Sequence, residues 1–189
     1  MFSEKLEALI PDLRAYARLL CKDVIRADDL VQNTCLKAWQ KRADFDPTKG
    51  ALRGWLFRIL RNDFYQQRRS DVRIEYREHE ELENELIADS SVEPRSNLSR
   101  MLRAVDSLKR QQRDAFLLVV AAGFTYEEAA DVLECSTGTV KSRVSRARDI
   151  AMGRFHSENW LPDVATTKIS PIDELNFALD QIHRRYSAA

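Results

Sequence analysis

The chain has 189 residues, enough for one ordinary domain or two small ones, and its 30 basic and 30 acidic residues cancel to a formal charge of zero. No secretory leader and no bilayer-length apolar run is visible, so a cytoplasmic protein without membrane insertion is expected. Three cysteines without paired spacing and three scattered histidines predict reduced thiols and argue against a metal, and no nucleophile–base pair or phosphate loop suggests an enzyme or a cofactor.

Gly and Pro number only five each and no alternating strand pattern is present, so the fold reads as all-α. Leu6, Leu9, Ile10, Leu13, Ala17 and Leu20 recur at helical spacing and mark a first amphipathic helix. Asp28 can cap a second, with Val31, Cys35 and Trp39 as its apolar stripe. The Pro and Gly of Phe45–Gly50 predict a loop. A third helix follows with Trp55, Leu56, Ile59, Leu60 and Phe64 apolar, Trp55 being expected in the core. From about Asp71 to Asn97 the chain turns acidic and then linker-like. A second helical unit runs from near Leu98 through Arg148. Beyond breaks at 160–171, Ile172, Leu175, Leu179, Ile182 and Tyr186 suggest a last amphipathic helix.

Charge is uneven although it sums to zero. Residues 51–70 carry a net +4, residues 71–95 a net −6 and residues 136–154 a net +4. The two basic stretches are where a phosphate backbone would be drawn.

The stretch Phe124–Arg148 has the layout of a helix-turn-helix, two short helices with a basic second member. Thr125 with Glu128 makes a capping box for the first helix, whose Ala129, Val132 and Leu133 can face inward. Ser136 suits the N-cap of the second, and Gly138 in its first turn leaves room for a phosphate. Val140, Val144 and Ala147 fall on one face of that helix, with Ser142 and Ser145 opposite and Lys141 and Arg146 beside them. These four are candidates for DNA base edges, while Arg143 and Arg148 better suit phosphates.

Three motifs in order then resemble a known family. Leu108–Leu118, Gly123–Ala130 and Gly138–Arg148 look like region 4 of bacterial sigma factors of the extracytoplasmic-function group, which reads the minus-35 promoter element. Asp28–Trp39 resembles region 2.2, which docks on core RNA polymerase, and Leu52–Arg69 resembles regions 2.3 and 2.4, which open the minus-ten element. The resemblance covers roughly residues 3–154 and divides the chain into 1–70 as region 2, 71–97 as an acidic helix and linker, and 98–154 as region 4; the family usually ends soon after region 4, so 155–189 reads as a C-terminal extension with an amphipathic helix for which it offers no role. Phe64-Tyr65 and Leu118–Arg148 look closest to the general-stress subgroup, whose members are held by a small anti-sigma protein.

By this resemblance the minus-35 set is Thr139, Lys141, Ser142, Arg143, Ser145, Arg146 and Arg148. The minus-ten set is Phe45, Lys49, Arg58, Arg61, Asn62, Arg68 and Arg69, with the Phe45–Gly50 loop and Asn62 taking up a flipped base; the alternative for Asn62 is a packing amide. Core polymerase would meet Asp29, Leu30, Gln32, Asn33 and Lys37, although Leu30 could belong to either surface of the helix. Expected partners are core polymerase, promoter DNA and an anti-sigma factor, with the free chain a monomer. The acidic segment could thread a polymerase channel or serve as a spacer, and the last helix could pack back on the protein or bind a partner. Members often have Leu-Pro before the first region 4 helix, whereas Leu108 here precedes Lys109, so that helix must start another way. A decoy that binds only an anti-sigma protein and a free-standing helix-turn-helix regulator are the alternatives. Lys141, Ser142 and Arg146 on a basic reading helix argue against the first, and the 51–69 basic-aromatic run against the second.

Overall fold

The computed structural model describes residues 2–78 and 97–157, with side chains for 2–69 and 101–155. Within these residues it holds seven α-helices and no strand. The chain divides into two units, Met1–Ser91 and Val92–Ala189. The linker residues 79–96 and the last amphipathic helix lie outside the described residues.

The first unit is built from α1 (Phe2–Cys21), α2 (Val24–Gln40) and α3 (Leu52–Glu78). Leu6, Leu13, Ala17 and Leu20 of the expected α1 stripe are buried, joined by Ala15 and Tyr16, and the helix continues through Pro11. α1 stops where Lys22 takes a left-handed φ of 61° and its N–H returns to the Arg18 carbonyl at 3.0 Å. The cap of α2 lies five residues before the expected one. Asp23 is the N-cap, accepting from the Arg26 N–H at 2.7 Å. Asp28 sits inside the helix instead and holds α1 through Arg14 at 3.3 Å and Arg18 at 3.7 Å.

The buried stripe of α2 is Ala27, Leu30, Val31, Thr34 and Ala38. Of the predicted stripe only Val31 is buried: Cys35 is half-buried and Trp39 is 47% exposed, so the stripe drifts off the core side along the helix. Small residues at 27, 34 and 38 let α1 and α3 approach closely, and the Thr34 hydroxyl donates to the Leu30 carbonyl at 2.8 Å so that its burial leaves nothing unpaired. On α3, Leu56, Phe57, Leu60, Phe64 and Tyr65 are buried, and Phe57 meets Tyr16 at 5.0 Å between ring centres. Trp55 is only half-buried, at the rim of the core that was expected to enclose it. α3 runs on to Glu78, so the expected boundary at residue 70 falls within a helix.

The second unit contains α4 (Asn97–Asp106), α5 (Arg110–Phe116), α6 (Tyr126–Leu133) and α7 (Thr137–Ser157), with α7 packed against the other three. Lys109 starts α5 with φ −59°, the value a proline ring would impose, and its carbonyl accepts from both Gln112 and Arg113 at 2.9 Å. That is how the helix begins without the proline. A π-helical turn, Leu117–Ala121, extends α5 and places the Ala122 N–H on the Leu117 carbonyl at 2.9 Å. Gly123 then reverses the chain at φ 66°, and Phe124 drops into the core.

Candidate nucleic-acid interface

The helix-turn-helix forms where its local signals put it. The Thr125 hydroxyl accepts from the Glu128 N–H at 3.1 Å and the Glu128 carboxylate accepts from the Thr125 N–H at 2.8 Å, the reciprocal pair of a capping box. Glu134 makes the turn in the left-handed region at φ 54°. Ser136 then caps α7, its hydroxyl accepting from the Thr139 N–H at 3.2 Å. A Cβ at Gly138 would meet nothing within 4 Å, so the outer side of this first turn is open.

Val140, Val144 and Ala147 are buried, joined by Ala151 one turn on, and fix which face of α7 is turned outward. Lys141, Ser145 and Arg146 are exposed there. The Lys141 ammonium lies 5.7 Å from the centre of the Tyr126 ring on α6. Thr139, Ser142, Arg143 and Arg148 are half-buried at the flanks. The Ser142 hydroxyl donates back to the Thr139 carbonyl at 2.9 Å. Arg143 reaches Gln111 on α5 at 3.2 Å and the Cys135 sulfur at 3.6 Å, so this arginine also braces the turn.

The outer side of α3 presents a second basic surface. Asn62 is exposed. Arg61 lies over the Tyr65 ring at 5.3 Å, Arg68 over Phe64 at 5.9 Å, and the Arg69 Nε donates to the Tyr65 carbonyl at 3.2 Å. Arg58 is half-buried. In the preceding loop, Asp46 accepts from the Thr48 N–H at 2.9 Å and its hydroxyl at 2.7 Å, and these bonds hold the Asp46 carboxyl below its ordinary value of 3.8. Lys49 extends into solvent 3.5 Å from Asp46. Phe45 is not a free contact residue: its ring packs on Trp55 at 5.4 Å and on Phe2 at 6.4 Å.

On α2, Asp29, Gln32 and Asn33 of the expected docking set face solvent. Leu30 does not. It is fully buried in the three-helix core and leaves the docking set. The apolar members of this face are Ile25, 73% exposed, and Leu36, 55% exposed, which stand opposite the buried stripe. Ile25 enters the helix only with the cap at Asp23, whereas Leu36 lies within the expected helix and is placed here by the phase of the buried stripe. Lys37 is turned aside to α3, where its ammonium pairs with the buried carboxylate of Asp63 at 2.6 Å.

The three cysteines are half-buried free thiols, and burial pushes Cys21 up to about 11. No described helix is long and apolar enough to cross a membrane.

Comparison with known proteins bears on both units. Residues 6–74 match the family model for Sigma-70 region 2, and residues 98–149 match that for Sigma-70, region 4. The chain is 42% identical to the ECF RNA polymerase sigma factor EcfG of Rhodopseudomonas palustris over 145 residues, 75% of this chain and 77% of the relative. Its structure resembles the sigma factor RpoE of Bartonella quintana, solved with the anti-sigma factor NepR, at TM-score 0.70 and 38% identity, covering 84% of this chain and 98% of that one. It also resembles CnrH, solved with the cytosolic domain of CnrY, at TM-score 0.63 and 26% identity, covering 84% of this chain and 89% of that one. The chain belongs to the RNA polymerase sigma factors of the extracytoplasmic-function group.

Proposed function

We propose a division of labour among α2, α3 and α7 in promoter-directed initiation. α7 enters the major groove of the minus-35 element with Lys141, Ser145 and Arg146 toward base edges, Ser142 beside them, and Thr139, Arg143 and Arg148 toward phosphates. The observation that carries this reading is the fixed rotation of α7: its buried stripe at 140, 144, 147 and 151 leaves the basic side as the exposed one. α3 holds the minus-ten strand with Arg58, Arg61, Arg68 and Arg69, while the loop with Lys49 and the amide of Asn62 receive an extruded base. α2 docks on core polymerase through Asp29, Gln32 and Asn33, flanked by Ile25 and Leu36.

The protein acts by binding, in the cytoplasm where polymerase works, and catalyses no reaction of its own. An anti-sigma factor restrains it, and it belongs to the general-stress subgroup. The likeness to RpoE, solved with NepR, supports both readings. Run-off transcription with core polymerase on a promoter library tests the main assignment. Loss of initiation in Arg146→Ala confined to minus-35-dependent promoters is the expected result, and equal loss on every promoter would remove α7 from that role. Competition between a NepR-type protein and core polymerase for this chain tests the restraint.

A further inference from the structure

We propose that Phe2, Phe45 and Trp55 form an aromatic clamp that sets the position of the Phe45–Gly50 loop over α3, which makes Phe2 and Phe45 positioning residues for strand opening. The inference rests on the reading that this loop and Asn62 receive an extruded base.

The three rings come from three separate elements: the first turn of α1, the root of the loop and the first turn of α3. Ring centres are 6.4 Å apart for Phe2 and Phe45, 5.4 Å for Phe45 and Trp55, and 6.5 Å for Phe2 and Trp55, all inclined to one another as aromatic pairs prefer. Trp39 at the end of α2 closes the cluster, 6.3 Å from Phe2. The Arg42 guanidinium lies 4.8 Å from the centre of the Trp39 ring and donates to the Trp39 carbonyl at 2.7 Å.

Beyond Phe45 the bonds of the loop turn inward on itself. Thr48 donates to Asp46, Lys49 pairs with Asp46, and the Lys49 N–H donates to the Asp46 carbonyl at 3.1 Å. The loop is thus a small self-bonded unit hung from an aromatic root. Asn62 lies seven residues beyond Trp55, which at about 100° per residue returns it to the same face of α3 roughly 10 Å further along. Trp55 is therefore the common reference for both sides of the base-receiving site. Extruding a base costs stacking energy, and only a receiver already in place offsets that cost as the strand opens.

The clamp is separate from the core. Phe2, Phe45 and Trp55 are half-buried, whereas the core pair Tyr16 and Phe57 are 1% and 0% exposed. Trimming Phe2 removes a support of the loop and leaves the three-helix interior in place.

Holoenzyme carrying Phe2→Ala or Phe2→Leu is compared with the parent on a duplex promoter and on the same promoter pre-opened across the minus-ten element. Permanganate reactivity of unpaired thymines and run-off product are read, with thermal unfolding of each variant. Phe2→Ala is expected to lose about tenfold in opening of the duplex, to bind it as closed complex unchanged, and to recover on the pre-opened template. Phe2→Leu keeps apolar bulk at the same place and is expected to recover most of the loss. An equal defect on both templates, or no defect on the duplex, would overturn the clamp. Lys49→Ala and Asn62→Ala, measured alongside, report on the base-receiving reading itself. If these two open DNA normally that reading fails; if they are impaired while Phe2→Ala is not, the reading stands and the clamp falls.

Discussion

α3 and α7 carry the same net charge in their basic stretches, yet they hold it differently. On α3, Arg61 and Arg68 lie over aromatic rings one turn along and Arg69 is tied to a carbonyl. On α7, Lys141 lies against the Tyr126 ring of α6 and Arg143 against Gln111 and Cys135, partners from outside the helix, while Arg146 projects from the exposed side and the rotation is set from behind by the buried stripe. The proposed targets account for the difference. A duplex groove has its own regular geometry, so a straight helix set at the right rotation suffices to read it. A strand being opened has no fixed geometry, so the protein must supply one by holding its cations and its loop in place.

The largest effect that tests this contrast is on binding. Lys141→Ala with Arg146→Ala is expected to weaken binding to a minus-35-containing duplex by about 100-fold, and much less where that element is scrambled. Arg68→Ala, by contrast, is expected to weaken all sequences alike and to lower the salt dependence by about one counterion. Filter binding across a salt series measures both. Sequence discrimination lost in Arg68→Ala but kept in the α7 variant would reverse the assignments.

The next effect is on stability, and it is specific to the first unit. Lys37→Met leaves the buried Asp63 carboxylate without its ammonium and is expected to cost roughly 2 kcal/mol, reduced from a fully buried pair because Lys37 is 45% exposed. Lys37→Met with Asp63→Leu removes both charges and is expected to recover most of that stability. Urea unfolding followed by tryptophan fluorescence reads it through Trp39 and Trp55. An undiminished single variant would show that solvent already supports Asp63. In the second unit the corresponding weak point is a cap: Thr125→Ala is expected to cost about 1 kcal/mol in thermal unfolding, by opening the reciprocal bonds with Glu128.

These two sites also show what the amino-acid order makes legible. The capping box, the Ser136 cap and the 140, 144, 147 stripe depend on residues three or four apart, and each occurs as read. Lys37 and Asp63 are 26 residues apart and meet only because α2 packs on α3, so Lys37 reads as a free surface lysine until the helices are placed. The phase of α2 is hidden in the sequence for a related reason. Its core side is largely Ala27, Thr34 and Ala38, which carry little apolar signal, while Ile25, Leu36 and Trp39 carry much and are exposed. Burial of small residues reflects close helix approach, a property of the neighbours rather than of the stretch itself. The arginine–aromatic pairs 61/65 and 68/64 were readable by their one-turn spacing, but the anchoring of Phe45 by Phe2 and Trp55 was not.

The smallest effect separates the two units by pH. The loop of the first unit is capped by a carboxylate, with Asp46 accepting both Thr48 bonds, whereas α7 is capped by a hydroxyl, with Ser136 accepting from the Thr139 N–H. The Thr48 bonds favour the charged carboxylate and lower its titration point from the ordinary 3.8. A group lowered in the folded state contributes its stabilisation fully above the unfolded value, and that contribution is lost as pH falls through the folded value. The turn is therefore intact at neutral pH and loosens only in acid below the usual aspartate range. The hydroxyl cap has no proton to gain and stays unchanged over the same range. In an NMR titration the Thr48 amide is expected to shift with a midpoint below 3.8, while the Thr139 amide holds its position until the unit unfolds. A Thr48 midpoint at or above 3.8 would show that solvent, not Thr48, sets the state of Asp46, and would leave the aromatic root to hold the loop without help from its own turn.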